Sequence, residues 1–229
     1  MTVRTTAPKR DDPGRFGGRR PVLLSVIGLV IAIGIPELGL GRLAAPGQDT
    51  ASLMVREAVW WILVAIIIGW VLAVERRRLA SIGFRRPTWK TFVYAIPVGV
   101  LMVIIITTSY AVVFPALGLK VNAKALLGLM HTPLWYRFLL VTRAAVSEEL
   151  IYRAYSIERV SEMTRSRVAG LAFSIVAFTL AHLSYWGWAQ LIPVALGGLL
   201  LGAYYLWRRD LVSNMIAHFV ADGAGFLLS

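Results

Sequence analysis

Residues 168–207 run for 40 positions without an Asp, Glu, Lys or Arg. A bilayer core of roughly 30 Å is crossed by about 20 mostly apolar residues in a helix, so the stretch is too long for one crossing and suits two. The Ser184-Tyr185-Trp186-Gly187 cluster is where it breaks, because Ser and Gly punctuate helices. Together with runs at 22–40, 58–74, 91–117, 134–155 and 211–228, the halves 168–185 and 188–207 predict about seven transmembrane helices. The expected fold is all-α, a polytopic membrane helix bundle. The composition agrees, with 58% hydrophobic and 16% charged residues and a mean hydropathy of +0.69, against about half and a quarter in soluble domains. A chain of 229 residues that spends most of its length in such runs has no room for a sizeable soluble catalytic domain. Whatever it does, it does in the bilayer.

The net charge of +12 is explained by where the cations sit. With the N-terminus in the cytoplasm, segments 1–20, 75–90, 153–167 and 208–210 hold 18 of the 24 Lys and Arg. The opposite side has only Arg42, Arg56, Lys120, Lys124 and Arg137, and Arg143 falls inside a span. This is the positive-inside pattern, with attraction to anionic lipid as a secondary effect, and it makes a nucleic-acid partner unnecessary. Residues 1–20 are basic and poor in large apolar side chains, so a disordered basic cytoplasmic tail is expected, followed by a helix bundle over 21–229. The first run exceeds the length of a signal-peptide core and reads as an uncleaved anchor. There is no Cys, which excludes disulfides, thiolate ligands and a thiol nucleophile. Gly198 and Gly202 form a GxxxG that permits close helix packing, and Pro97 and Pro193 are expected to kink their helices.

Several groups contradict their apolar setting. Glu148 and Glu149 lie in the fourth span with Arg143 before them, His182 in the fifth, His218 and Asp222 in the seventh. The three acids and Arg143, charged and unpaired at mid-membrane, would cost on the order of 10 kcal/mol, comparable to the stability of a whole protein. They must face the interior and find partners. Glu149 and Arg153 are four residues apart and share a helix face, whereas Glu148 points about 100° away, so the two carboxylates take different jobs. His218 and Asp222 repeat the four-residue spacing with Asn214 one turn earlier, and Phe178 with His182 does the same on the fifth span. Arg143 and the loop residue His131 are read as structural. By residue count His182 lies toward the outer end of its span while Glu148 is near the middle of its own, an offset that helix tilt has to close.

A carboxylate with two imidazoles and a further acid can activate water for hydrolysis without a covalent intermediate. The His-Glu-x-x-His of zinc proteases and the Gly-x-Ser-x-Gly of serine hydrolases are both missing. The order Glu148-Glu149-x-x-x-Arg153, Phe178-x-x-x-His182, His218-x-x-x-Asp222 resembles the three motifs of the CPBP family, the CAAX prenyl protease 2, Abi and bacteriocin-processing intramembrane proteases. The resemblance covers the motif-bearing core 130–229, and Ile82-Gly83-Phe84-Arg85-Arg86 is similar to a segment common in bacterial members.

That resemblance implies an all-helical intramembrane endopeptidase with a water-filled site. Glu148 would activate the water, Glu149 and Arg153 would form the supporting pair, His182 would help bind the water, and His218 and Asp222 would contact the substrate carbonyl. The prenyl-protease branch has Asn in place of Asp222. An ionised Asp repels an oxyanion, so Asp222 must be protonated, orient His218 or help hold a metal. No cofactor is fixed by the sequence; a divalent metal such as zinc suits Glu148, His182, His218 and Asp222 as ligands. The expected substrate is a membrane-associated peptide or protein, and the expected location a bacterial plasma membrane. The alternatives are a proton-coupled transporter, since buried acids and imidazoles also form relays, and a non-catalytic membrane scaffold or immunity protein. Unlike spans with no inverted repeat fit a carrier poorly.

Overall fold

The structure is a computed structural model, in which residues 19–45, 47 and 49–228 are described. The expected tail falls on residues 1–20, of which 1–18 lie outside the described residues, and the first helix opens at Arg19. Among the described residues every long element is helical. Seven rods occupy the seven expected runs: α1 (19–37), α2 (Thr50–Val74), α3 (Trp89–Ala116), α4 (134–164), α5 (Arg167–Trp186), α6 (Trp188–Arg208) and α7 (Leu211–Phe226). Of these, α2, α3, α5 and α6 are long and apolar enough to cross a membrane. The others fall short for physical reasons. The 16 residues of α7 span about 24 Å at 1.5 Å per residue, α1 has only the short apolar stretch Pro21–Glu37, and α4 is diluted by its acids and arginines. The all-α membrane bundle stands; a count of seven full crossings does not follow from it.

The bundle is inverted relative to a soluble protein. Ile62, Ile66, Leu101, Ile104, Val176, Leu180 and Leu199 face outward, while Glu149, Arg153, Ser147, Ser156, Ser213, Asn214 and His218 are buried. Lipid tails are as apolar as Leu, so polar groups are what the interior has to hold.

At the centre stands α4, packed against α1, α2, α5, α6 and α7. From Leu134 to Thr164 its sequence has no Gly or Pro, so nothing stops the helix until Arg165, which takes a left-handed conformation with φ 56°. The Ser166 hydroxyl then accepts from the Ala169 N–H and starts α5. From Glu149 to Ile157 α4 winds as a π-helix, and all nine of these residues are buried; such i→i+5 segments recur at functional sites. The hairpin between α4 and α5 is drawn tight at Gly170, where an added Cβ would lie 2.6 Å from the Ile157 carbonyl oxygen. On the far side of α5 the GxxxG of α6 faces it, with a Cβ at Gly198 only 3.1 Å from the Phe178 ring.

Ion pairs fix one end of the bundle. Arg159 binds Glu75 at 2.6 Å, Arg77 binds Glu162 at 2.7 Å and Arg209 binds Glu158 at 2.7 Å. These join three of the segments that the sequence assigns to one side. The Ile82–Arg86 stretch belongs here too: Gly83, at φ 73°, offers its carbonyl to the Leu211 N–H at 2.9 Å. Asp210 caps α7 by accepting from Ser213 N–H at 3.1 Å, and its other oxygen accepts from the Thr91 hydroxyl at 3.0 Å. At the opposite end the Asn122 amide donates to the carbonyls of Tyr185 and Trp186, and Arg137 donates to the Phe226 carbonyl at 2.9 Å.

Candidate active site

Three rods bring the singled-out residues together. In α4 the four-residue step joins Glu149 Oε1 to Arg153 Nη1 at 3.0 Å, both side chains being wholly enclosed. The guanidinium also lies over the Phe178 ring, 3.9 Å from its centroid, a contact that strengthens where water is excluded. Glu148 turns away from this pair, and its side chain keeps 15% of its exposure.

What Glu148 meets are the two imidazoles. Its Oε2 lies 3.9 Å from His182 Nε2 and 3.9 Å from His218 Nε2. In both rings the other nitrogen is spoken for. His182 Nδ1 is 2.8 Å from the Phe178 carbonyl oxygen, which can only accept, so Nδ1 carries the proton and neutral His182 presents its Nε2 lone pair to Glu148. His218 Nδ1 is 2.8 Å from Glu149 Oε1 and donates to it in the same way. Asp222 Oδ2 is 3.4 Å from His218 Nε2, one turn along α7. The site therefore contains all six expected residues: Glu148, Glu149, Arg153, His182, His218 and Asp222. The offset in depth between Glu148 and His182 is closed, because α4 continues to 164 rather than ending at 155.

The charges do not balance on their own. Three carboxylates, Glu148, Glu149 and Asp222, face one guanidinium, that of Arg153. A 3.9 Å gap between oxygen and nitrogen is too long for a hydrogen bond and is the kind of separation that a water bridges. Among the described residues no three His, Asp or Glu side chains converge closely enough to hold one metal ion.

Two features were not legible beforehand. Asn214, read only as part of a polar stripe, donates from Nδ2 to Glu149 Oε2 and to the Leu201 carbonyl, both at 2.9 Å. Arg143 has a partner in α2: Nε lies 3.2 Å from Glu57 Oε2, the Tyr136 hydroxyl donates to Glu57 Oε1 at 3.3 Å, and the guanidinium lies 4.9 Å from the centroid of Trp60. The second apolar run begins one residue past Glu57, which left that acid outside the expected span.

Residues 129–224 match the family model described as Rce1-like, type II CAAX prenyl endopeptidase. No curated protein and no solved structure matches the chain. The match encloses all three motifs and bears out the resemblance that they carry.

Proposed function

We propose that this chain, whose residues 129–224 match the Rce1-like type II CAAX prenyl endopeptidase model, is an intramembrane endopeptidase in which Glu148 activates a water. The observation that carries this reading is the position of Glu148 Oε2, 3.9 Å from the Nε2 atoms of both His182 and His218. A water seated there gives one proton to Glu148 as it attacks the peptide carbon, and the Nε2 lone pair of His182 orients it from the other side. Glu148 then passes that proton to the leaving amine. His218, its Nδ1 proton held by Glu149 and its Nε2 beside Asp222, supplies the donor for the developing oxyanion from Nε2 when that nitrogen is protonated as well.

Of the three roles open to Asp222, its 3.4 Å approach to His218 Nε2 favours orienting that ring. Glu149 and Arg153 do not touch the reacting atoms; they hold His218 by its Nδ1 proton. The substrate is a membrane-associated peptide or protein, the basic end of the bundle faces the cytoplasm, and the membrane is a bacterial plasma membrane. The deciding experiment replaces Glu148 with Gln in the native membrane and looks for a membrane protein that accumulates uncut. Unchanged processing in the presence of well-expressed, folded Glu148→Gln protein would overturn the proposal.

A further inference from the structure

Glu149 is held from three sides, and one of its holders lies outside the three motifs. Oε1 forms an ion pair with Arg153 Nη1 at 3.0 Å and accepts from His218 Nδ1 at 2.8 Å, while Oε2 accepts from Asn214 Nδ2 at 2.9 Å. The same Nδ2 donates to the Leu201 carbonyl in α6, also at 2.9 Å. Both partners are pure acceptors in this setting, so the amide orientation is settled by chemistry: the nitrogen must face them. The consequence is that Asn214 Oδ1 is buried with no hydrogen-bond partner. An unsatisfied buried acceptor costs about 1–3 kcal/mol. A residue that only fills space would carry no such group, so the amide is retained for the two bonds that its nitrogen makes.

What the amide gains is control of a carboxylate plane. A carboxylate pinned at one oxygen only can swing about its Cγ–Cδ bond. Pinned at both, it points Oε1 at His218 Nδ1 and Oε2 away from it. The Nδ1 proton is then fixed, and the Nε2 edge is turned to Glu148 and Asp222. Such outer partners set the tautomer and tilt of a working imidazole. Asn214 also ties α7 to α4 and to the α6 backbone at the level of the site, so it fixes the rod that carries His218 as well as the ring. Leu201 and Asn214 are both fully enclosed, which keeps water from taking over either bond.

We propose that Asn214 is a positioning residue for hydrolysis, acting through Glu149 to hold His218 in the form protonated at Nδ1. This deepens the protease reading and rests on it for its purpose, but its spectroscopic test does not. The chain has 3 His, so nitrogen NMR of the ¹⁵N-histidine-labelled protein in lipid resolves each ring. In the unaltered protein His218 is expected to carry its proton on Nδ1. In Asn214→Leu, folded by thermal melting, the His218 Nδ1 signal should shift away from that of a fully protonated nitrogen, with His182 and His131 unmoved. Turnover of the substrate identified with Glu148→Gln should fall about 10- to 100-fold with KM within about twofold, the scale of a misplaced catalytic group.

Unchanged His218 signals and unchanged turnover in folded Asn214→Leu overturn the proposal. So does an unaltered protein whose His218 lacks the Nδ1 proton, a result that needs no variant at all. If Asn214→Leu does not fold, Asn214→Ala, which removes the donor, should show the same losses, and full turnover in it overturns the proposal. A Glu148→Gln protein that still cleaves, beside a His218 that responds to Asn214, sinks the protease reading alone.

Discussion

Glu148 lies seventeen positions before Arg165 and His182 seventeen after it. In an antiparallel helical hairpin that turns at Arg165, residues equally far from the turn stand abreast, and this is why the Glu148 carboxyl and the His182 ring face each other across α4 and α5. The pairing depends on how closely the two rods run. Gly170→Ala is therefore expected to reduce cleavage sharply, because the new methyl meets the Ile157 carbonyl oxygen at 2.6 Å. Forcing the helices apart should also cost about 1–3 kcal/mol in stability, measured by denaturation in mild detergent alongside the activity assay.

Glu148→Gln keeps the shape of the side chain and removes its capacity to take a proton. Loss of the general base should lower the cleavage rate by about 100- to 10,000-fold without changing the melting temperature by more than a degree or two. His182→Ala should lower it as well and leave the fold intact, since His182 lies at a helix end with its side chain 19% exposed.

Arg153 behaves differently, because both it and Glu149 are wholly enclosed. Arg153→Met leaves a carboxylate buried with only His218 and Asn214 to hold it, and breaking a buried pair from one side costs about 3–5 kcal/mol. The expected outcome is poor recovery of folded protein, partly restored by adding Glu149→Gln, which removes the stranded charge. The recovered double variant should remain slow, since His218 has lost its carboxylate.

The Glu57–Arg143 contact makes the same kind of prediction for the α2–α4 interface. Either Glu57→Leu or Arg143→Met alone should destabilise more than the two together. The four-protein cycle is read by thermal denaturation, and simple additivity would show the pair to be uncoupled.

Orientation can be read directly because the natural chain has no Cys. A thiol placed by Arg85→Cys should react with a membrane-impermeant maleimide only from the cytoplasmic face, and one placed by Lys120→Cys only from the other. The reverse labelling would invert the bundle.

Much of the site could be read from spacing alone. The four-residue steps from Glu149 to Arg153, Phe178 to His182 and His218 to Asp222 are local geometry, and a helix enforces them whatever its neighbours. Their convergence was legible only as a necessity: charged groups in lipid must find each other. The Asn214 bond to Glu149 and the Arg143 bond to Glu57 were not legible. Each joins rods far apart in sequence, and the register between rods is set by turns such as Arg165 and caps such as Asp210, which periodicity does not report. The true length of α4 was missed for a related reason. Hydropathy falls where its ion pairs with Glu75 and Arg209 begin, although the helix continues through them.

The nine closed residues that follow Glu148 give α4 a directional character. Glu148 is the last side chain before a stretch that nothing outside the bundle can touch, so under the proposed protease reading a substrate strand that reaches it can go no further along α4. Where the cut falls is then governed by how deep that carboxyl sits below the membrane surface, and scission should occur at a fixed depth in substrates whose sequences differ.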